Sequence, residues 1–274
     1  MASHFAVAPA GMSFLDGGMA TPHILILGGT GEARRLAEKL VAQGDAKVTL
    51  SLAGRTVAPL AQAGEVRIGG FGGADGLAEW LRAHAVDVLA DATHPFAARI
   101  SENAIASSET AGVPLVALRR PAWERQPGDR WIDAKSVSEA AGLLGHEPRT
   151  VFLAIGRQEL APFKAVPQHR YIVRSVDPVE DGDALRGATY ILDRGPFTEA
   201  AERQLLLAHG VQIVVAKNSG GDATYGKIAA ARELGVPVVM VGRPPAGGGE
   251  AVASVEQAQE RIRHLAGLPA KRGE

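Results

Sequence analysis

Short apolar runs alternate with amphipathic stretches along most of the chain. The first run, His23-Ile24-Leu25-Ile26-Leu27, ends at Gly28-Gly29-Thr30-Gly31. From Glu32 to Gln43 the apolar residues Ala33, Leu36, Ala37, Leu40 and Val41 then fall on one helical stripe. Gly44 stands where a C-cap belongs. Runs at Lys47 to Leu52, Val66 to Gly69, Val86 to Ala90 and Pro114 to Leu118 predict further strands, with helices over Gly76 to His84 and Phe96 to Ala111. The Val86 to Ala90 run does not alternate, as expected of a strand covered on both faces.

Between Arg119 and Arg149 turn residues dominate, notably Arg119-Arg120-Pro121 and Gln126-Pro127-Gly128-Asp129. The alternation then resumes, with strands expected at Val151 to Ile155, Tyr171 to Ser175, Thr189 to Leu192, Val211 to Ala216 and Val236 to Val241. Helices fit Thr198 to His209, Thr224 to Leu234 and Ser254 to Leu265. Strands alternating with helices at this spacing imply parallel, doubly wound sheets. The expected fold is therefore α/β, two Rossmann-like lobes around a cleft. Residues 23–120 form the first lobe, 121–150 an interlobe segment and 151–274 the second lobe. Residues 1–22 read as a flexible extension, with no basic stretch ahead of an apolar one as a secretory signal requires.

Composition narrows the function classes. There is no cysteine, which removes disulfides, thiolate metal sites and a cysteine nucleophile. The 29 basic and 30 acidic side chains are spread evenly, so no basic block points to nucleic acid. No apolar run approaches the ~18 residues of a membrane helix. The reading is a cytoplasmic protein that acts on a small molecule, without metal and as a monomer.

The turn Gly28-Gly29-Thr30-Gly31-Glu32-Ala33-Arg34 lies between a strand and a helix, where glycine lets the backbone approach a pyrophosphate. Arg34 stands where the usual dinucleotide fingerprint has its third glycine, so a plain tight turn is the competing reading. The end of the second strand, Leu50-Ser51-Leu52-Ala53-Gly54-Arg55-Thr56, carries no acid to hold a ribose 2′-hydroxyl. Ser51, Arg55 and Thr56 instead offer a hydroxyl, a cation and a hydroxyl to a 2′-phosphate, which selects NADPH.

Asp91-Ala92-Thr93-His94-Pro95-Phe96-Ala97 follows the fourth strand. Thr93 is placed to hold a nicotinamide carboxamide. His94, which ordinarily titrates near neutrality, is either a proton donor or a capping histidine. Asp91 either caps the turn or orients a partner. In the second lobe, Lys217, Asn218, Ser219, Gly220, Gly221 and Thr224 combine donors with small residues that let a ligand lie close. Arg157 and Arg174, at or just past strand ends, are further candidates for binding anionic groups or, alternatively, salt-bridge residues. Tyr225 is a second candidate proton donor, and Lys217 is a candidate catalytic residue as well as a binding one. Trp80, Trp123 and Trp131 read as packing residues.

Seven segments in order resemble the precorrin-6A reductases of cobalamin biosynthesis. They are the Gly28 to Arg34 turn, Ser51 to Thr56, Gly69-Gly70-Phe71-Gly72, Asp91 to Ala97, Gly156-Arg157, Arg194-Gly195-Pro196-Phe197 and Lys217 to Gly221. The resemblance implies NADPH-dependent reduction of a ring double bond of precorrin-6A to give precorrin-6B. It gives the second lobe's donors a polycarboxylate tetrapyrrole as their ligand. The cobalt-containing macrocycle and a non-catalytic NADP-binding regulator are the alternatives. A short-chain dehydrogenase is disfavoured, because none of Tyr171, Tyr190 and Tyr225 has a lysine four residues on.

Overall fold

β1 (His23–Leu27) runs from end to end with every side chain buried, the mark of a central strand. The computed structural model describes residues 21–54, 60–245 and 251–269. Of the expected extension, only Thr21 and Pro22 fall within the described residues; Arg55 and Thr56 lie outside them.

After β1 come α1 (Gly31–Gln43), β2 (Lys47–Leu52), β3 (Glu65–Ile68), α2 (Ala74–Ala83), β4 (Val88–Asp91), α3 (Ala98–Ala111) and β5 (Leu115–Leu118). The chain continues through β6 (Trp131–Ala134), α4 (Val137–Gly142), β7 (Thr150–Ala154), β8 (Arg170–Ser175) and β9 (Thr189–Leu192). Next are α5 (Glu199–Ala208), β10 (Ile213–Lys217), α6 (Gly226–Glu233) and β11 (Val238–Val241), then β12 (Ala251–Val252) and α7 (Val255–Leu265). These strands make two parallel six-stranded sheets, ordered β12-β5-β4-β1-β2-β3 and β6-β11-β10-β7-β8-β9. The doubly wound two-lobe architecture expected from the alternation is present.

The two-residue period of the strands divides each core between two faces. In the first lobe Ile24 and Ile26 pack with Leu36, Leu40 and Ile262, while Leu25 and Leu27 pack with Leu77 and Leu81. In the second, Val151 and Leu153 face Ala140 and Leu144, while Phe152 faces Leu206 and Ile228. The helix ends are fixed by local chemistry. Thr30 caps α1 by accepting from the Ala33 N–H, and Gly44 closes it in the left-handed conformation at φ 72°.

Two boundaries differ from the expected ones. Residues 131–142, taken as part of an interlobe segment, belong to the second lobe. There β6 extends the sheet beside β11 and α4 covers it. The second lobe also does not keep the end of the chain. β12 returns to pair with β5, and α7 lays Val255, Ala258 and Ile262 into the first lobe's core. This crossing covers an edge that β5 would otherwise leave open. Arg263 of α7 holds Asp45, just past α1, at 2.8 Å.

Candidate active site

The carboxyl ends of β1 and β4 frame a small concavity lined by Thr30, Glu32, Ala92, Thr93, Pro95 and Arg120. Doubly wound sheets bind ligands at this end. Thr30 joins the two strand ends, donating to the Ala92 carbonyl at 2.7 Å while capping α1. The Gly31 and Glu32 N–H groups at the start of α1 have no protein acceptor among the described residues. Gly29, at φ +105°, and Gly31 both face open space: a β-carbon added to either meets nothing within 4 Å. Such a turn fits a pyrophosphate. Ala33 contributes differently than expected, since its N–H is spent on Thr30 and its methyl is buried in the core. Arg34 stands over Glu38 of the same helix at 3.7 Å.

Asp91 organises the loop after β4. Its Oδ1 accepts from both the N–H and the hydroxyl of Thr93, at 3.1 and 2.6 Å. Its Oδ2 pairs with Arg119, whose guanidinium also reaches Ser101. Burial acts to raise the Asp91 pKa, but the adjacent Arg119 charge and the hydrogen bonds to it win and hold it low. Asp91 thus both caps the turn and orients a partner. Thr93 is fixed by that carboxylate, its hydroxyl 2.6 Å from Asp91 Oδ1.

His94 follows, and its surroundings overturn the expectation of a histidine titrating near neutrality. Burial, together with the positive charges of Lys217, Arg120, Arg243 and Lys227, lowers its pKa to about 3. The Phe96 N–H donates to Nδ1 at 3.3 Å, which leaves the neutral ring's proton on Nε2. Lys217, at the end of β10, brings the second lobe to the same loop. Its Nζ lies 4.8 Å from the Phe96 ring centre and 2.6 Å from Glu159.

Arg120 and Arg243 complete the cluster, and sequence reasoning missed both. Each lies two residues past a strand end, a position that signals a ligand-facing loop. Arg119-Arg120-Pro121 reads first as turn chemistry. Arg120 bridges the lobes, with Nη1 on Glu32 at 2.6 Å and Nε on the Ser219 carbonyl at 2.7 Å. Arg243 donates to the carbonyls of Asn218, Ser219, Arg120 and Pro121.

The 217–221 loop also has a different neighbour from the one expected. Asn218 pairs in both directions with the Trp123 backbone, at 2.7 and 2.9 Å. The Trp123 indole donates to the Gly221 carbonyl at 2.8 Å. A β-carbon on Gly220, at φ +66°, would lie 2.0 Å from the Pro121 carbonyl oxygen, and one on Gly221 would lie 2.9 Å from Arg120. The small residues therefore admit the 120–123 segment, and Lys217 of this group is held by Glu159 at 2.6 Å. The Thr224 carbonyl accepts from Lys227.

Three further candidates each have a protein partner. Arg174 is turned inward, paired with the Glu202 carboxylate through both Nη groups and stacked on Phe197 at 3.6 Å. At 7% exposure it is not available to substrate. The Tyr225 hydroxyl is held by Arg232 at 3.0 Å, two turns along α6, and its ring packs on Trp123. Arg157 donates to the Pro178 carbonyl at 2.8 Å within its own lobe. Trp80, Trp123 and Trp131 all pack in or against core clusters, as expected.

The chain matches the family model described as precorrin-6x reductase CbiJ/CobK over residues 23–263. It is 52% identical over 255 residues to a precorrin-6A reductase from Sinorhizobium sp., covering 93% of this chain and 98% of the relative. Identity to the precorrin-6A reductase of Rhodococcus erythropolis is 49%, over 81% of this chain and 89% of that one. A solved structure of CobK precorrin-6A reductase superposes with a TM-score of 0.86 at 43% identity, covering 92% of this chain and all of that chain. With the two-sheet fold and the cation-lined cleft, these likenesses show that the chain belongs to the precorrin-6x reductase CbiJ/CobK family, the precorrin-6A reductases of cobalamin biosynthesis.

Proposed function

We propose that the chain reduces one ring double bond of precorrin-6A with NADPH, giving precorrin-6B, and that it works as a cytoplasmic monomer. The observation that carries this reading is the pairing of two features across one cleft. On one side stands the open N-terminus of α1; on the other, Arg120 and Lys217 meet at the loop of His94, which burial, reinforced by the charges of Lys217, Arg120, Arg243 and Lys227, keeps neutral.

NADPH supplies the hydride. The chain's task is to align the two reactants and keep water from the reacting carbons. The Gly31 and Glu32 N–H groups hold the pyrophosphate at the positive end of α1. Ser51, buried at the end of β2, lies beside the adenosine ribose. The Asp91-fixed Thr93 loop borders the nicotinamide. Lys217 and Arg120 attract the macrocycle's carboxylate side arms, with Arg157 and Thr224 farther along the second lobe. His94, kept neutral first by burial, offers its Nε2–H as a hydrogen-bond donor, and the proton that completes the reduction comes ultimately from solvent beyond the water-free reacting carbons.

The test is anaerobic mixing of the purified protein with precorrin-6A and either NADPH or NADH, following cofactor and macrocycle absorption together. Loss of NADPH in step with a shortened chromophore supports the reading. NADPH binding without turnover on this substrate, but with turnover on the cobalt-containing macrocycle, transfers the reaction to that substrate. No turnover on either leaves only an NADP-binding protein.

A further inference from the structure

The loop between β3 and α2 takes no part in the cleft, yet it is built around a cation with unmet donors. β2 and β3 pair so that Ser51 stands opposite Arg67. The Arg67 guanidinium lies 3.7 Å from the centre of the Phe71 ring. Its Nη1 donates to the Gly69 carbonyl at 2.6 Å and to Ser51 Oγ at 3.4 Å, and its Nη2 to the Gly70 carbonyl at 2.7 Å. A guanidinium has five N–H protons, so two remain without an acceptor, and among the described residues no carboxylate lies within ion-pair distance.

The space around it is open. β-Carbons added to Gly69, Gly70, Gly72 or Gly73 would meet nothing within 4 Å. Gly69, Gly72 and Gly73 have φ of +115°, +85° and +101°, so the loop turns where no other side chain would sit easily. Gly73 caps α2 without a side chain, which leaves that end of the loop uncovered as well.

In a doubly wound sheet the end of the second strand meets the adenosine ribose, and an acid there holds the 2′-hydroxyl. Here Ser51 is the penultimate residue of the strand, with an arginine across from it. We propose that Arg67, stacked on Phe71 beside Ser51, binds the 2′-phosphate of NADPH and sets the preference over NADH. The bonds to Gly69 and Gly70 fix the plane of the fork, and the two free protons meet the phosphate oxygens. This assignment rests on the NADPH reading above and names the residue that would enforce it.

The test is titration calorimetry of the full chain with 2′,5′-ADP and 5′-AMP, which differ only by the 2′-phosphate. The intact protein is expected to bind 2′,5′-ADP about 100-fold more tightly, the discrimination of two charge-assisted hydrogen bonds. Arg67→Gln should reduce that ratio to about 10-fold or less while 5′-AMP affinity stays within about threefold, and Arg67→Lys should fall between. Equal weakening of both ligands in Arg67→Gln and Arg67→Lys would make Arg67 a brace for the loop and overturn the proposal. An unchanged ratio in Arg67→Gln would overturn it too, with the NADPH reading intact. A ratio near one in the unaltered protein would instead remove the NADPH reading and this assignment together.

Discussion

Arg120 Nη1 lies 2.6 Å from Glu32 Oε2, and the same guanidinium holds the Ser219 carbonyl at 2.7 Å. One side chain at the lobe junction therefore spans the first turn of α1 and the loop after β10. Glu32 places a carboxylate beside the N–H groups that would receive a pyrophosphate, and Arg120 is what offsets it. Glu32→Gln should tighten binding of ADP by a few fold, on the order of 1 kcal/mol, by removing a like charge from the site. Arg120→Ala should weaken ADP binding, because Glu32 is then left uncompensated. Calorimetric titration of both variants checks the two signs, and weaker binding in Glu32→Gln would refute the arrangement.

The position of His94 makes a prediction about pH. Its folded pKa, about 3, lies below the ordinary histidine value, so the unfolded chain takes up a proton that the folded one refuses. The contribution to stability is complete above the unfolded pKa and is lost as pH falls through the window down to about 3. His94→Gln should flatten this acid limb in chemical denaturation measured from pH 7 to pH 4. Turnover should stay within about tenfold of the unaltered enzyme, since a neutral imidazole is a poor acid. A larger loss would restore His94 as the proton donor.

Lys227 is 4% exposed, bonded to the Thr224 carbonyl and set 4.8 Å from the Trp123 ring centre. Burial, with the nearby Arg174 charge and against the pull of Glu202, lowers its pKa to about 7. The folded state then binds fewer protons than the unfolded one between pH 7 and the ordinary lysine range, so its cost is full below pH 7 and fades above. Lys227→Met should hold or raise Tm at pH 6, with the gain shrinking by pH 9. Thermal denaturation at the two pH values decides it; a gain that grew with pH would contradict the assigned direction.

Arg174 and Glu202 are 7% and 2% exposed and pair through both Arg174 Nη groups. Arg174→Met strands the buried carboxylate, at a cost of about 3–5 kcal/mol. Replacing both, Arg174→Met with Glu202→Leu, should recover most of that loss, as read by urea denaturation. KM for the macrocycle should be unchanged in the double variant, because neither group faces the cleft.

At Gly220 the φ of +66° and the 2.0 Å approach of a β-carbon to the Pro121 carbonyl leave no room for alanine. Gly220→Ala should cost more than about 1 kcal/mol from the backbone alone, with the steric clash added. It should push residues 120–123 off the second lobe. Hydrogen exchange at the Trp123 amide, now bonded to Asn218, would rise selectively.

The β1 to α1 turn was legible because its signals are local: an apolar run, glycines, a capping threonine and an amphipathic stripe lie within twenty residues. β6 and α4 were not. Trp131-Ile132-Asp133-Ala134 is a half-exposed edge strand, and its pattern is weaker than the turn residues on either side. The one local cue was Ser136 with Glu139 three residues on, which the structure uses as a helix cap. For Arg174, near a strand end, the sequence leaves a ligand-binding cation and a salt-bridge residue both open; only the fold shows that Glu202 waits beneath it.

The sequence by itself determined most of the strands and helices, their parallel doubly wound class, where the glycine turn between β1 and α1 lies and which family the chain resembles, because periodicity, glycine positions and motif order are written along the chain. Tertiary structure alone decided that α7 and β12 belong to the first lobe, since an apolar stripe specifies that a helix is buried but not against which sheet. It also decided which cations meet at His94. Charges carried just past β5 and β11, at the end of β10 and on α6 act on one imidazole only once those elements converge, and burial, not spacing, sets how strongly.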